Sequence, residues 1–369
     1  MKKLLLSSGV FLLLSFGLSV AWAELDTLVN RFAAVRFARL PDGVRFPEGI
    51  TANPHTGEII VGTFDFGPNA NKLLRFDRIG RLVAQRDFGA TPLLGLAFNP
   101  HDRKIYICNV GDLATGNPEL AKIQRIEADF DETTPIEDVA VIPRIGAPPN
   151  RTVGNPDGSQ DTITFGNNLQ APNALVFTAN GDLFVSDSFQ GAIFRINNVA
   201  SCPPCPVATV KHDSLLATAG FPPFGANGLA LGSDGTTLFI ANTGDDRVLR
   251  TNITSGNVSG DITIFAESIN GADGIAFDDE GRLWVVANQA DEVAVLNASG
   301  RVIAKFGDFL GIQSDGSPRG LLFPASLVIV RGNVFVTNLA LPLTGATGDE
   351  PEEDVTRFTI SLIPGQLLD

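Results

Sequence analysis

Ala272-Asp273-Gly274-Ile275-Ala276-Phe277-Asp278-Asp279-Glu280-Gly281-Arg282-Leu283-Trp284-Val285-Val286-Ala287-Asn288 holds a polar residue before a short apolar strand, then a turn, then a second apolar strand ending in Asn. Each apolar run is about the length of a single strand, and Asp-Asp-Glu-Gly between them supplies turn chemistry, so the stretch predicts a hairpin. The same cassette recurs. Glu48-Gly49-Ile50 leads to a strand ending at Thr63, and Leu94-Gly95-Leu96 to one ending at Asn109. Asn173-Ala174-Leu175 leads to Asp187, Asn227-Gly228-Leu229 to Asn242, and Ala325-Ser326-Leu327 to Asn338.

The leading residues fall at 48, 94, 173, 227, 273 and 325, giving gaps of 46, 79, 54, 46 and 52. A repeat of roughly 45 to 50 residues suits a four-stranded propeller blade. Third strands are expected at 72–76, 121–126, 192–196, 247–250 and 292–296, and a fourth at 301–306. Six units imply an all-β, six-bladed β-propeller whose closure removes open sheet edges. The last unit runs out of chain after 355–360. Its outer strand is therefore expected from the N-terminus, where 32–40 alternates and has no other partner.

The long gap is filled in part by a strand at 138–142. The remaining stretch, 143–171, is too long and polar for a connector and predicts a lid or rim at the end of the ring where the cassettes begin. A second, acidic insertion at 339–354 leaves from the same end.

Residues 1–23 carry Lys2 and Lys3, an apolar run from Leu4 to Val20, and Ala21-Trp22-Ala23, the pattern of a signal peptide with cleavage after Ala23. The expectation is export to the periplasm or medium without a stable membrane anchor, leaving 24–369 as one domain. Losing Lys2 and Lys3 moves the formal charge from −14 to −16. Such an acidic surface excludes nucleic acid as the natural partner and tolerates a cation. A monomer acting on a small molecule is expected. Of three cysteines, Cys202 and Cys205 flank two prolines in a loop and predict a local disulfide in an oxidising compartment. Cys108, within an apolar strand, predicts a buried thiol.

In a propeller the first strand of each blade lines the central channel. The six leading residues therefore face one another: Glu48, Leu94, Asn173, Asn227, Asp273 and Ala325. Capping of strand starts would explain any one polar residue, but not four in register with Leu and Ala in the other two slots. Two carboxylates at one axis need positive charge between them, and no Lys, Arg or His takes an aligned slot. Glu48, Asn173, Asn227 and Asp273 form an all-oxygen set that suits Ca²⁺, or another hard divalent cation, over zinc or copper. The strand-end residues Thr63, Asn109, Asp187, Asn242, Asn288 and Asn338 are candidates for a second layer around it, or ordinary turn residues.

The register Pro47-Glu48-Gly49, Pro172-Asn173-Ala174, Ala226-Asn227-Gly228 and Ala272-Asp273-Gly274 resembles the calcium-dependent six-bladed propellers of the senescence marker protein/gluconolactonase/luciferin-regenerating-enzyme group. The resemblance covers about residues 40–362. It implies a Ca²⁺-dependent hydrolase of lactones or related esters, with Glu48, Asn173, Asn227 and Asp273 as metal ligands and Asp273 as a candidate base or nucleophile. The sequence departs from the group in two places. Ala171 stands where gluconolactonase-like members carry an Arg. His55 and His101 lie in Asn-Pro-His turns at the far end of the ring, not as a dyad beside the metal, and His212 falls in a loop or outer strand. A non-catalytic propeller that binds a protein or small ligand, with Ca²⁺ structural or absent, is the alternative these departures leave.

Overall fold

The computed structural model describes residues 29–31, 34–67, 69–111, 121–166, 169–344 and 346–365. The segment 1–23 read above as a signal peptide lies outside them, as do Phe32, Asn167 and Asn168. Among the described residues no helix is long and apolar enough to cross a membrane.

Six antiparallel sheets form the ring expected from the repeat. Their innermost strands are Pro47–Ala52, Leu93–Phe98, Pro172–Phe177, Ala226–Leu231, Ala272–Phe277 and Pro324–Val330. Blades one to five run outward in chain order, as four strands each. The sixth is completed by Val35–Arg39, which pairs antiparallel with Thr359–Ile363 and so fastens the end of the chain to its beginning. Val29–Arg31 adds a parallel strand to the outer edge of blade five, pairing with Val302–Phe306. Thr337 of blade six also donates its hydroxyl to the Glu48 carbonyl of blade one at 2.7 Å.

The quoted cassette folds for local reasons. Asp278 accepts hydrogen bonds from the amides of Glu280 and Arg282, and Gly281 takes φ 78° to close the turn. The strand Leu283–Ala287 is wholly buried, and Trp284 stacks on Phe306 at 5.1 Å. Its register reveals what the alternation pattern conceals. Ala272 opposes Ala287 but Ile275 opposes Val285, so three steps on the inner strand match two on its neighbour. That extra residue is a β-bulge, and the same shift occurs at the same place in all six blades. A bulge bends the strand and re-aims a side chain. In each blade it falls at the leading residue.

The glycine after that residue answers to crowding at the axis. A Cβ at Gly49 would sit 2.1 Å from the Leu94 carbonyl oxygen, and one at Gly228 2.3 Å from that of Asp273. Two residues further along the six inner strands stand Ile50, Leu96, Leu175, Leu229, Ile275 and Leu327, all buried around a common central space. This aliphatic ring plugs the channel beneath the leading residues.

Four details differ from the sequence reading. The third strand of blade six is Thr359–Ile363, later than the 355–360 expected, and the insertion before it ends in a 3₁₀ turn, Pro351–Asp354. The fourth strand of blade two is Glu137–Val141. The 143–171 insertion contains an exposed hairpin, Arg151–Gly154 with Gln160–Ile163. A second small hairpin, Phe309–Ile312 with Pro318–Gly320, precedes blade six. Cys202 and Cys205 form the expected disulfide, and Cys108 is a buried free thiol.

Candidate metal centre

The bulges bring Glu48, Asn173, Asn227 and Asp273 to one small cavity of about 40 Å³, each of them 2–4% exposed. That is room for an ion and a water or two. Leu94 also lines it, whereas Ala325 is buried in the inner strand.

The pairing register identifies the row of residues that supports them. One position past each strand-end pair stand Phe64, Val110, Ser188, Thr243, Asn288 and Leu339. In blades three to five that residue is bonded to the leading side chain. Asn173 Nδ2 donates to Ser188 Oγ at 2.9 Å and Asn227 Nδ2 to Thr243 Oγ1 at 2.9 Å, while Asn288 Nδ2 donates to Asp273 Oδ2 at 3.0 Å. The two hydroxyls pass the contact on. Ser188 donates to the carbonyl of Ala226 and Thr243 to that of Ala272, the residues just before Asn227 and Asp273. Asn173 and Asn227 are thereby each wired to the backbone that aims the next leading residue. With the amide nitrogens of Asn173 and Asn227 so engaged, their carbonyl oxygens are the groups left to the cavity.

The electrostatics point the same way. Glu48 Oε2 and Asp273 Oδ1 are buried and have no hydrogen-bond partner. Burial pushes the Glu48 carboxyl well above its ordinary range, and the nearby Asp273 pushes it further. Burial also raises Asp273, against the opposing hydrogen bond from Asn288 and the influence of the neighbouring Asn227 amide. Among the described residues no Lys, Arg or His lines the cavity. Two desolvated carboxylates without a counter-charge cost several kcal/mol each, on the order expected for isolated buried ions. Two carboxylates and two amide carbonyls are the hard oxygen donors a divalent cation such as Ca²⁺ takes. The side chains present fit it.

Of the proposed second layer, Asn288 alone reaches a leading side chain among the described residues. The others clasp their own blades. Asp187 accepts the amides of Ala171, Phe189 and Gln190, and burial still holds its carboxyl above the ordinary range. Asn242 Nδ2 donates to the carbonyls of Leu215 and Ala217, and Asn109 Nδ2 to Gln124 Oε1. Asn338 and Thr63 likewise bond within their blades. The correction is one of register: Asn288 follows the strand-end pair of blade five, where the other five belong to it.

The rest of the lining is apolar and, apart from Phe64 and Leu339 of the supporting row, comes from loops outside the repeated cassette. It includes Phe64, Pro222, Phe224, Phe323, Leu339, Leu341 and Leu343. The 143–171 insertion stands to one side at the same end, where Arg151 bonds Asp245 at 2.8 Å and Gln190 holds the amides of Ile145 and Gly146. It is a rim, and the cover belongs to 339–343 and the loop around Phe224. Of the histidines, His55 packs on Phe98 and His101 lies beside Gly181, both away from the cavity. His212 ends the outer strand of blade three.

Residues 208–307, from the outer strand of blade three through blade five, match the family model described as the SMP-30/Gluconolactonase/LRE-like region. That segment contains Asn227 and Asp273. No curated protein matches the chain in sequence. Regucalcin from Agrobacterium tumefaciens, a calcium-binding protein, superposes with a TM-score of 0.58 at 16% identity, over 92% of this chain and 97% of that one. A luciferin-regenerating enzyme gives 0.58 at 13% identity, over 88% and 92%. A gluconolactonase from Xanthomonas campestris gives 0.52 at 15%, over 90% and 94%. The resemblance drawn from the Glu48, Asn173, Asn227 and Asp273 register is borne out as likeness to this group, on a shared six-bladed propeller.

Proposed function

We propose that this chain is an exported, Ca²⁺-dependent hydrolase of lactone-type esters, with the cation held by Glu48, Asn173, Asn227 and Asp273. The observation that carries the reading is the pair of buried, partnerless carboxylate oxygens in a cavity with no cationic side chain among the described residues. The family model and the gluconolactonase and regucalcin likenesses favour it. When bound, the cation supplies Lewis-acid polarisation of the ester carbonyl. Four side chains leave part of a Ca²⁺ shell of roughly six to eight oxygens open to water and substrate.

The chain's own residues do the rest. Asn288 fixes Asp273 through Oδ2, so Oδ1 is the oxygen that faces the cavity, with one lone pair for the cation and the other to accept a proton from the attacking water. The water oxygen bonds to the carbonyl carbon, the acyl C–O bond breaks, and the proton passes from Asp273 to the departing alkoxide, giving a hydroxy acid. Ser188 and Thr243 hold the two asparagines in the orientation that presents oxygen to the cavity. The aliphatic plug and the apolar cover keep bulk water from the site.

Metal analysis of the purified chain, with a lactone and aryl-ester panel run with and without chelator, tests this. One bound divalent ion and chelator-sensitive hydrolysis lost in Asp273→Asn are expected. No bound ion after Ca²⁺ loading would sink the site, and activity indifferent to Asp273→Asn would make the ion structural.

A further inference from the structure

Among the described residues, the cavity's polar side chains are gathered at the cation end and offer little to a polyhydroxylated substrate beyond it. Each of its described amides already has an N–H engaged, Asn173 with Ser188, Asn227 with Thr243 and Asn288 with Asp273. The Thr243 hydroxyl is spent on the Ala272 carbonyl. Beyond the oxygens that face the cation, sugar hydroxyls would be desolvated against hydrocarbon, at a penalty for each. Ala171 is fully buried, and its amide bonds Asp187. The remainder of the lining is hydrocarbon, led by Phe64, Phe224, Phe323, Leu341 and Leu343.

The same character continues out to solvent. Phe64 meets Phe66 edge-on at 4.6 Å, and Phe66 is 49% exposed. Phe64 also lies 6.3 Å from Phe224, and Phe224 5.2 Å from Phe189. Phe221, in the loop that carries Phe224, is 55% exposed. Aromatic rings therefore run without a break from the surface to the carboxylates. Exposed apolar surface leading into a cavity marks where an apolar ligand enters.

We propose that the substrate is an ester or lactone whose non-reacting part is hydrocarbon, an alkyl or aryl group entering along Phe66 and resting against Phe224, Leu341 and Leu343. This rests on the hydrolase reading above. The strap bearing the two leucines yields to admit that group, because the cavity as it stands holds little more than an ion. The strap is tied from outside the sheet, by Glu350 accepting the amides of Leu343 and Thr344.

The test uses the full Ca²⁺-loaded chain with γ-lactones bearing unbranched alkyl groups from methyl to heptyl, and an aldono-γ-lactone for contrast. In the wild type, kcat/KM is expected to climb about two- to four-fold per added methylene, with the aldonolactone below the methyl compound. Leu343→Asn, and Phe66→Ser at a surface position that cannot unfold the core, are expected to flatten the climb. A flat series, or an aldonolactone that outperforms the alkyl lactones, overturns the proposal. The same alkyl series as γ-lactams, which resist hydrolysis, is followed by calorimetry. Binding that strengthens with chain length and loses that dependence in Leu343→Asn upholds the proposal even when no lactone is turned over, an outcome that would count against the hydrolase reading alone. Lactam binding indifferent to chain length overturns it.

Discussion

Blades three, four and five present Asn173, Asn227 and Asp273 to the axis, each bonded to Ser188, Thr243 or Asn288 one strand out. Blades two and six carry Leu94 with Val110 and Ala325 with Leu339 in the same two rows. The backbone is the same in both arcs, down to the bulge. A slot that accepts Leu or Ala with no change of geometry does not demand a polar residue for folding. The polar arc is therefore maintained at a cost in stability, and the cost is sensible only if something positive offsets it. Glu48, facing that arc from blade one, adds the second carboxylate.

The largest expected effect comes from breaking the polar arc at its charges. Glu48→Gln and Asp273→Asn are each expected to weaken Ca²⁺ binding by a hundred-fold or more, about 3 kcal/mol, read by calorimetry. In Ca²⁺-free buffer both variants are expected to melt higher than wild type, since each removes an unpaired buried carboxylate. A variant that melts lower without Ca²⁺ would mean that the carboxylates are paired in some other way.

A smaller effect tests the geometry both arcs share. Gly228→Ala and Gly49→Ala force a methyl group to within 2.1–2.3 Å of a neighbouring carbonyl oxygen. Each is expected to lose about 1–3 kcal/mol or more of stability, read by denaturant titration, with Ca²⁺ present or absent. Gly43→Ala is no control for this, because its φ of 78° adds strain of a different kind.

The contrast between the arcs also explains what the sequence could and could not reveal. Six cassettes at a near-regular spacing, three of them opening on a polar residue and Gly, make the propeller legible. The unpaired alternation before Leu40 makes its closing strand legible too, and the leading row needs no more than alignment. The supporting row was hidden by one residue. Judged by its final Asn, blade five aligns Asn288 with Asn242, but the pairing of Ala272 with Ala287 puts it beside Thr243. Ser188 and Thr243 were visible as the residues after Asp187 and Asn242, and only the register gives them a partner. The apolar cover was hidden for a different reason. Phe64 belongs to the supporting row, but Phe224, Phe323 and Leu343 come from three separate loops with no common period, and only closure of the ring brings them together.

The supporting row gives a graded comparison. Thr243→Val keeps shape and removes the hydroxyl that joins Asn227 to the Ala272 carbonyl. Leaving a buried amide unpaired costs about 1–2 kcal/mol, so Ca²⁺ affinity is expected to fall about ten-fold, and Ser188→Ala to behave alike. Val110→Ala, the matching position in the apolar arc, is expected to leave Ca²⁺ affinity within about two-fold of wild type by calorimetry. Equal losses at Val110 and Thr243 would erase the distinction between the arcs.

The smallest effect separates a buried acid that awaits a cation from one that does not. Asp291, beside blade six, is raised to about 6 by burial, with Glu352 and Asp308 adding to the shift and the bond from the Phe323 amide opposing it. An acid whose carboxyl is raised by folding favours the native state below its unfolded value near 4, where both states are protonated. That advantage is lost as pH rises to about 6, because the native state must then carry the charge. Asp291→Asn keeps an acceptor for the Phe323 amide and cannot ionise. It is expected to stabilise the chain by about 1 kcal/mol at pH 7.5, allowing for solvent screening of a half-buried group, and by nothing measurable at pH 4. Because Asp291 has a backbone donor where Asp273 Oδ1 has none, the increment is expected to be the same with and without Ca²⁺ in denaturant titrations. A Ca²⁺-dependent increment would place Asp291 in the cation's field and extend the polar arc into blade six.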